Sequence, residues 1–337
     1  MHRIHAIHGP AARARRPALA ALLLACALAA GACGRDAGSA TRPSAAAEAA
    51  RARAIESHPP YVVMRWLDRV HPRDYGRLGV ASASRPDGSR ALAPLRCDRV
   101  GFNGRVGLCV LGAWQARNRT SVTVFDAAFR PLRRLALSGV PSRTRVSPDG
   151  RWGAVTTFVT GHAYAGGRFS TATTLIDLRS GRPVVNLERF AVTRDGRLVT
   201  ARDRNFWGVT FSRDGHTFYA TMATGGHTWL VRADLRTRTG RTLRENAECP
   251  SLSPDETRIA YKKKVGRPPR WRFTVLDLRT GRETPLAEQR PIDDQIAWLD
   301  DRTVLYDNGE EVWTVPADGG GAPRRWARSA GSPQVVG

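Results

Sequence analysis

The chain has 337 residues and a formal net charge of +23, from 53 Lys and Arg against 30 Asp and Glu. Lysine occurs only at positions 262, 263 and 264, so arginine supplies 50 of these cations. With 42% apolar and 25% charged residues, the composition is that of a globular chain. It excludes collagen, a coiled coil, a multi-span membrane protein and a wholly disordered chain. This length accommodates two ordinary domains or one large all-β domain.

The first 32 residues have the pattern of a secretory signal peptide. Four arginines and no acid occur before position 17, and the apolar run PALAALLLACALAAGA follows at 17–32. A basic segment, an apolar segment of this length and small residues at its exit are typical of an export signal. The run is shorter than the ~20 residues that a spanning helix needs. Removing residues 1–32 would leave 49 cations against 30 anions, or +19.

Cys33 follows Ala30, Gly31 and Ala32, and small residues directly before a cysteine resemble the lipobox of bacterial lipoproteins. Ala30 stands where that motif usually has leucine. The resemblance implies a thioether-linked diacylglycerol on Cys33, and hence a protein held at the extracellular face of the cell membrane. The alternative is an ordinary cleaved signal peptide, with Cys33 incidental to it.

Residues 33–58, rich in Ala, Arg, Gly and Ser, are predicted to be a flexible tether with a short helix around 45–55. Residues 59–337 are predicted to form the folded domain. Short β-prone runs bounded by turn residues dominate it and indicate a sandwich, a barrel or a propeller. The runs lie at 105–111, 121–125, 152–158, 173–176, 207–211, 217–221, 229–232, 258–261, 273–276, 303–306 and 312–315.

Three cysteines lie in the predicted folded domain, and Cys97 and Cys109 are twelve residues apart. Apolar alternation on both sides of Asn103 and Gly104 predicts a hairpin, with Asn-Gly as its turn. Two cysteines across a hairpin can reach the Cα spacing of a disulfide, and such bonds persist in exported proteins. We therefore predict a Cys97–Cys109 disulfide, with pairing of either one to Cys249 as the alternative. No CxxC pair accompanies them, which argues against zinc.

Two short phrases recur along the domain. SPDG at 147–150 places an Asp in a turn before a strand, and similar phrases occur at 211–215 and 252–256. DLRTG at 277–281 follows a strand, and similar phrases occur at 175–182 and 231–235. Successive turn aspartates lie 41 residues apart from Asp214 to Asp255, and 45 apart from Asp255 to Asp300. A period of this size with about four strands is that of one propeller blade.

The chemistry of these phrases is local. Proline sets φ at the first corner of the turn, Asp accepts backbone N–H groups, and Gly permits positive φ. The repeated aspartates are therefore interpreted as structural, because a calcium site needs several oxygen ligands on one loop.

The SPDG and DLRTG repeats resemble the WD40-like repeats of TolB-type β-propellers, over most of residues 76–330 and best over 143–326. The resemblance implies an all-β fold with a single β-propeller, and a binding scaffold rather than a catalyst. The length of 59–337 predicts six blades, with five or seven as alternatives, and one degenerate blade could use 193–202. Ring closure is expected to pair a strand near 76–82 with the last blade. The tethered form further resembles TolB-like lipoproteins of high-GC Gram-positive bacteria.

No Gly-x-Ser-x-Gly, His-Glu-x-x-His or Walker motif is present, so no catalytic residue, metal ligand or cofactor is predicted. Loops on a rigid scaffold commonly carry binding residues. The Gly-rich loop at 160–170 makes His162, Tyr164 and Arg168 candidate binding residues, and His227 is a fourth. Phe206 and Trp207 are interpreted as core residues between blades.

The basic run at 262–270 is interpreted as a solvated hairpin loop, although it could also contact anionic headgroups or wall polymers. A nucleic-acid partner is not expected in an exported protein. We predict a monomer that is held at the membrane by its lipid and binds a protein or a cell-envelope polymer. The competing hypothesis is an envelope hydrolase or sugar oxidoreductase with its site at the channel mouth.

Cys33→Ala is expected to abolish incorporation of labelled palmitate and to release the protein from the membrane fraction, because it removes the only predicted lipid attachment point. Metabolic labelling followed by fractionation measures both effects. Undiminished labelling of the variant would contradict the predicted anchor.

Overall fold

The computed structural model describes residues 43–88, 90–112, 119–159 and 170–337. The strands of this part form six sheets, which are the blades of a β-propeller. The predicted all-β, six-bladed fold is thus confirmed. Residues 1–32, Cys33 and the loop with His162, Tyr164 and Arg168 lie outside the described residues.

The strands are named in chain order and grouped here by blade. Blade 1 begins with β1 (Tyr61–Trp66), β2 (Arg77–Ser82) and β3 (Ala91–Arg96), and blade 2 has β4 (Arg99–Phe102), β5 (Val106–Gly112), β6 (Arg119–Asp126) and β7 (Pro131–Ser138). Blade 3 has β8 (Val140–Val146), β9 (Trp152–Val159), β10 (Ser170–Asp177) and β11 (Arg182–Asn186). Blade 4 has β12 (Ala191–Arg194), β13 (Arg197–Leu198), β14 (Asn205–Phe211), β15 (Thr217–Thr224), β16 (His227–Asp234) and β17 (Thr239–Glu245). Blade 5 has β18 (Glu248–Leu252), β19 (Arg258–Val265), β20 (Arg270–Asp277) and β21 (Glu283–Pro285), and blade 6 has β22 (Ile296–Asp300), β23 (Thr303–Asn308), β24 (Glu311–Pro316) and β25 (Arg324–Arg328). The last strand is β26 (Ala330–Val336).

The innermost strands form a ring around a central channel. They are β4, β8, β14, β18, β22 and β26, and each contacts the innermost strand of the next blade. We call the face where these strands begin the top face, and the face where they end the bottom face.

The ring closes through β26, which is the innermost strand of blade 1. Tyr61 pairs with Val336 and Trp66 with Ala330, so β26 lies antiparallel to β1. The predicted closing strand near 76–82 is wrong in position, because β2 is the second neighbour of β26 and pairs with β1 and β3. Residues 61–66 were not among the predicted strands, and this omission displaced the expected junction.

Residues 193–202 do not form a blade of their own. β12 pairs in parallel with β17, and β13 pairs with β12, so both extend the outer edge of blade 4. Asp149 and Asp214 lie 65 residues apart, which is more than one repeat, and part of the additional length is this edge addition rather than a degenerate blade.

The repeated turns have the structural role that was predicted for them. Asp149 Oδ1 accepts from Ser147 Oγ at 2.5 Å and from the Arg151 backbone N–H at 3.0 Å. Asp277 Oδ1 accepts from the backbone N–H groups of Arg279 at 3.0 Å and Thr280 at 2.7 Å. These bonds hold each turn and so set the register of the strand that follows.

The predicted tether contains a helix, α1 (Ala45–Glu56), which packs against β2 and β3. Ser44 caps it by accepting from the Ala47 N–H at 3.2 Å. Glu48 Oε2 accepts from the Leu92 N–H at 2.9 Å, and Ala52 is buried in the core. The folded part thus begins before the predicted boundary at residue 58, because α1 uses an outer-strand N–H as its partner.

Aromatic side chains fill the space between blades. Phe102, Phe125 and Phe129 stack with centroids 5.5–5.7 Å apart and pack with residues of blade 1. Between blades 5 and 6, Phe273 meets Tyr306 edge to face at 4.8 Å. Burial of such rings contributes favourably to holding neighbouring blades together.

Cys97 and Cys109 are joined by a disulfide, with their Cα atoms 5.2 Å apart. Strands β4 and β5 form the predicted hairpin, with Gly104 at φ +93° in its turn. Cys97 lies just before β4, so the bond ties the entrance of blade 2 to β5. Cys249 is free and buried.

Cys97→Ser is expected to lower the free energy of unfolding by about 2–4 kcal/mol, because the bond restricts the unfolded chain. Urea unfolding with and without dithiothreitol measures this. The reductant should lower the midpoint of the wild type and of Cys249→Ser but leave Cys97→Ser unchanged. Equal midpoints for wild type and Cys97→Ser without reductant would contradict the stabilising role.

Candidate functional site

A pocket of about 220 Å³ opens at the top face among blades 3, 4 and 5. The starts of the innermost strands and the top hairpins line it, together with the segment before β22. We call it the top pocket. Its aromatic lining residues are Phe158, Trp207 and Trp271, and its charged or titratable ones are Arg143, His227, Glu248, Cys249, Lys262, Lys264 and Asp293.

Lys262 is the most deeply buried cation of the top pocket, with 2% of its side chain exposed. Its ammonium pairs with Asp293 and lies 4.6 Å from the centre of the Trp271 ring. Burial acts to lower the pKa of Lys262, but the Cys249 thiol and the Asp293 carboxylate together hold it above its usual value. Lys262 therefore stays charged, and the carboxylate and the ring fix its position.

Glu248 and Lys264 form the second charged pair of the top pocket. Lys264 Nζ lies 3.3 Å from Glu248 Oε1 and 4.8 Å from the centre of the same Trp271 ring. Burial raises the pKa of Glu248, while Lys264 and Lys262 partly offset this effect. The pocket thus combines a partly covered indole with two lysines that both lie against it, and each lysine is paired with its own carboxylate.

Below the top pocket, an ion-pair cluster crosses the channel. Arg99 of blade 2 donates to both carboxylate oxygens of Asp294 at 3.0 Å, and Arg143 of blade 3 lies 3.4 Å from Asp294 Oδ1. Burial acts to raise the pKa of Asp294, but Arg99 and Arg143 hold it at about 2. Gln295 also spans the channel, donating to the Thr144 carbonyl at 3.2 Å. We call Arg99, Arg143 and Asp294 the channel plug.

Asp307 lies beside the plug in a different electrostatic state. Its Oδ2 accepts from the Ser332 N–H at 2.6 Å, and its buried Oδ1 has no hydrogen-bond partner. Burial and the neighbouring Asp294 carboxylate raise the pKa of Asp307 to about 7. The pKa values of these two neighbouring carboxyl groups are thus shifted in opposite directions. Asp294 is ionised, whereas Asp307 is able to keep its proton near neutral pH.

The structure places the predicted binding residues unequally. His227 lines the top pocket, with 61% of its side chain exposed and Nδ1 2.5 Å from Glu245 Oε1. Phe158 of β9 and Thr171 of β10 also line the pocket. The proposed roles of His162, Tyr164 and Arg168 remain predictions, because these residues lie between β9 and β10 and outside the described part.

The interpretation of 262–270 as a solvated loop is wrong for Lys262, which is buried, whereas Lys264 and residues 265–270 are exposed. β19 extends to Val265, so all three lysines are strand residues. Alternation along the strand turns Lys262 and Lys264 towards Trp271, while Lys263 pairs with Glu283 on the opposite side. Extending the predicted strand at 258–261 with a period of two would have revealed this arrangement.

The aromatic pair at the start of β14 behaves largely as predicted. Phe206 is buried in the core of blade 4, with 2% exposure. Trp207 is also buried, at 6%, but it lines the top pocket as well. Arg143, Glu248 and Trp271 were not predicted as site residues, because they lie in three separate chain segments.

Among the described residues, no three His, Cys, Asp or Glu side chains lie close enough together to hold a metal ion. No helix in that part of the chain has the length and apolarity needed to cross a membrane.

No protein-family model matches the sequence, and a comparison with curated protein sequences finds no match. Solved structures do match in fold. TolB from Acinetobacter baumannii superposes with a TM-score of 0.59 at 15% identity, covering 82% of this chain and 66% of that one. A crystal structure of a nidogen/laminin complex matches with a TM-score of 0.55 at 9% identity, covering 82% and 98% of the two chains.

These likenesses show a TolB-like β-propeller fold. The chain spans 66% of the length of the Acinetobacter TolB. One fold can host unrelated functions, so likeness in fold does not decide between binding and catalysis.

Asp307→Asn is expected to raise the free energy of unfolding at pH 8 by up to about 4 kcal/mol, the equivalent of about three pKa units. The pKa of Asp307 rises from 3.8 to about 7 on folding, so the folded state binds more protons than the unfolded state in that window. The stability of the wild type therefore falls as pH rises from about 4 to 7. Asparagine mimics the protonated carboxyl and should make this decline shallower.

Urea unfolding at pH 5 and pH 8 measures this effect, with Asp318→Asn at an exposed turn as the matched control. In the control, the free energy of unfolding should depend on pH as it does in the wild type. If Asp307→Asn also leaves this pH dependence unchanged, the protonation state assigned to Asp307 is contradicted.

Proposed function

We propose that the chain is an exported, lipid-anchored binding propeller that holds a protein or cell-envelope polymer at the outer face of the cytoplasmic membrane. The top pocket is its binding site, and no covalent chemistry takes place there. The observation that carries the proposal is the Trp271 indole, which lies against the ammonium groups of both Lys262 and Lys264 in a pocket above the channel plug.

The pocket has the composition of a recognition site. Aromatic residues and arginine are enriched where binding energy concentrates in interfaces, and the pocket has Trp207, Trp271 and Arg143 in its lining. Since Lys262 pairs with Asp293 and Lys264 with Glu248, the charges are held in place before a partner arrives. A partner would therefore meet a preorganised surface, which lowers the entropic cost of binding.

The channel plug supports a role in binding rather than the passage of a molecule through the channel. Arg143 belongs both to the lining of the top pocket and to the plug, where it contacts Asp294. Asp294 in turn pairs with Arg99 of another blade. The bottom of the pocket is therefore formed by ion pairs between blades. The same ion pairs, which connect opposite sides of the ring, limit how deep the pocket is.

The location rests on the N-terminal residues. The basic and apolar segments of 1–32 and the small residues before Cys33 support export and lipidation. The Cys97–Cys109 disulfide is also consistent with an oxidising compartment.

A hydrolase is the second candidate, and Glu248 is the observation that favours it. Its carboxyl is buried in the top pocket with a raised pKa, which suits a general acid. In this case Glu248→Gln would abolish turnover of a small molecule while leaving its binding intact.

Trp271→Ala is expected to reduce recovery of the partner about tenfold or more in crosslinking pulldowns from intact cells, because truncation of a central aromatic contact has effects of that size. Lys264→Ala should act in the same direction. Lys263→Ala, on the opposite side of the same strand, is the matched control and should recover the partner as the wild type does.

Equal recovery by wild type and Trp271→Ala would contradict the assignment of the site. If the wild type recovers no reproducible partner and the purified protein turns over a small molecule, the hydrolase hypothesis replaces the binding one.

A further inference from the structure

A second and larger cavity, of about 560 Å³, opens at the bottom face. The ends of β8, β14, β18 and β26 and their turns line it, on the side of the channel plug opposite to the top pocket. We call it the bottom cavity. Its volume falls within the range of ~300–1,000 Å³ that is usual for small-molecule sites.

Arg145 of β8 lines the bottom cavity and has no counterion there. Its Nη2 donates to the Ile296 carbonyl at 2.9 Å and lies 3.5 Å from Ser251 Oγ. Its Nε is buried without a hydrogen-bond partner. Throughout the described ranges, no carboxylate lies within ion-pair distance of Arg145, whereas Arg143, two residues earlier on the strand, contacts both Asp293 and Asp294.

The electrostatic state of Arg145 follows from this arrangement. Burial lowers the pKa of Arg145 to about 10, and only the Cys249 thiol acts to raise it. A desolvated cation without an opposite charge is unfavourable, and an anion that reaches it recovers much of that free energy. A guanidinium is also well suited to bind a carboxylate or phosphate through paired N–H groups.

The acidic residues of the bottom cavity are engaged elsewhere. Asp149 accepts from Ser147 and Arg151 within its own turn. Glu256 accepts from Ser212 Oγ at 2.8 Å and from the Arg213 N–H at 2.5 Å. Both therefore stabilise turns at the rim and leave the charge of Arg145 uncompensated.

The rest of the lining can hold an organic group. Phe102, Phe211 and Trp298 contribute ring surfaces to the bottom cavity, and Arg105 and Arg213 add exposed positive charge at its rim. The cavity thus offers a single buried cation in a largely polar lining with several ring surfaces, and further cations lie around its opening.

We propose that the bottom cavity binds a small organic anion, whose carboxylate or phosphate group pairs with Arg145. This site is separate from the top pocket, and its proposal does not depend on the binding function proposed for that pocket.

The test uses citrate and inorganic pyrophosphate as probes, in isothermal titration and thermal unfolding at constant ionic strength. At least one probe should bind the wild type and raise its unfolding temperature. Arg145→Met should weaken that binding about tenfold or more, since it removes charge-assisted hydrogen bonds. Arg134→Gln, on the exposed outer strand β7, removes the same charge elsewhere and should bind as the wild type does.

Preference for citrate would identify a carboxylate ligand, and preference for pyrophosphate a phosphate ligand. If Arg145→Met does not fold, Arg145→Lys keeps the charge without the planar fork and should still lose several-fold affinity. The proposal is overturned if neither probe binds the wild type, or if the Arg145 variant that folds binds both probes as tightly as Arg134→Gln.

Discussion

Backbone pairing between β26 and β1 joins the two ends of the described chain in one blade, with Val62 opposite Val335. Each blade of the ring packs against two neighbours, so the first and last blades depend on this junction for their second interface. Because β26 is the innermost strand of its blade, the junction also brings residues from the far end of the sequence into the channel. Ser332 of β26 donates to Asp307 of blade 6, and the end of β26 lines the bottom cavity. The channel therefore acquires its chemistry only when the ring is closed.

Three arginines of the channel differ in the groups with which their guanidinium groups interact. Arg99 and Arg143 share Asp294 and span the ring, whereas Arg145 meets a carbonyl and a hydroxyl but no acid. All three belong to a chain whose many arginines are otherwise consistent with a general compositional bias. Their distinct roles depend on the segment before β22, which contributes Asp293 and Asp294. These two acids reach Arg99 and Arg143, but the segment places no acid beside Arg145, which lies nearer the bottom face. The plug thus separates a top pocket of paired charges from a bottom cavity with an unpaired one.

Local chemistry explains which features were predictable. The turn around Asp277 and the hairpin at Gly104 depend on neighbouring residues alone, so their phrases indicated them directly. The Cys97–Cys109 pairing followed from that hairpin. In contrast, Lys262 looked like part of a solvated basic run, and only the extent of β19 and the position of Trp271 on β20 make it a buried residue. Arg143, Glu248 and Trp271 come from two blades and three strands, and no linear spacing connects them.

The sequence by itself determined the repeat, the turn chemistry and the pattern of an export signal, because each of these is encoded within a few neighbouring residues or in a period along the chain. It left five, six or seven blades open, and the structure has six. Only the tertiary structure decided how the ring closes, which cations are paired and where the cavities lie. These features arise from contacts between blades, as between Arg99 and Asp294, which are 195 positions apart. Burial then sets the energy of each charge, and burial is a property of the assembled ring.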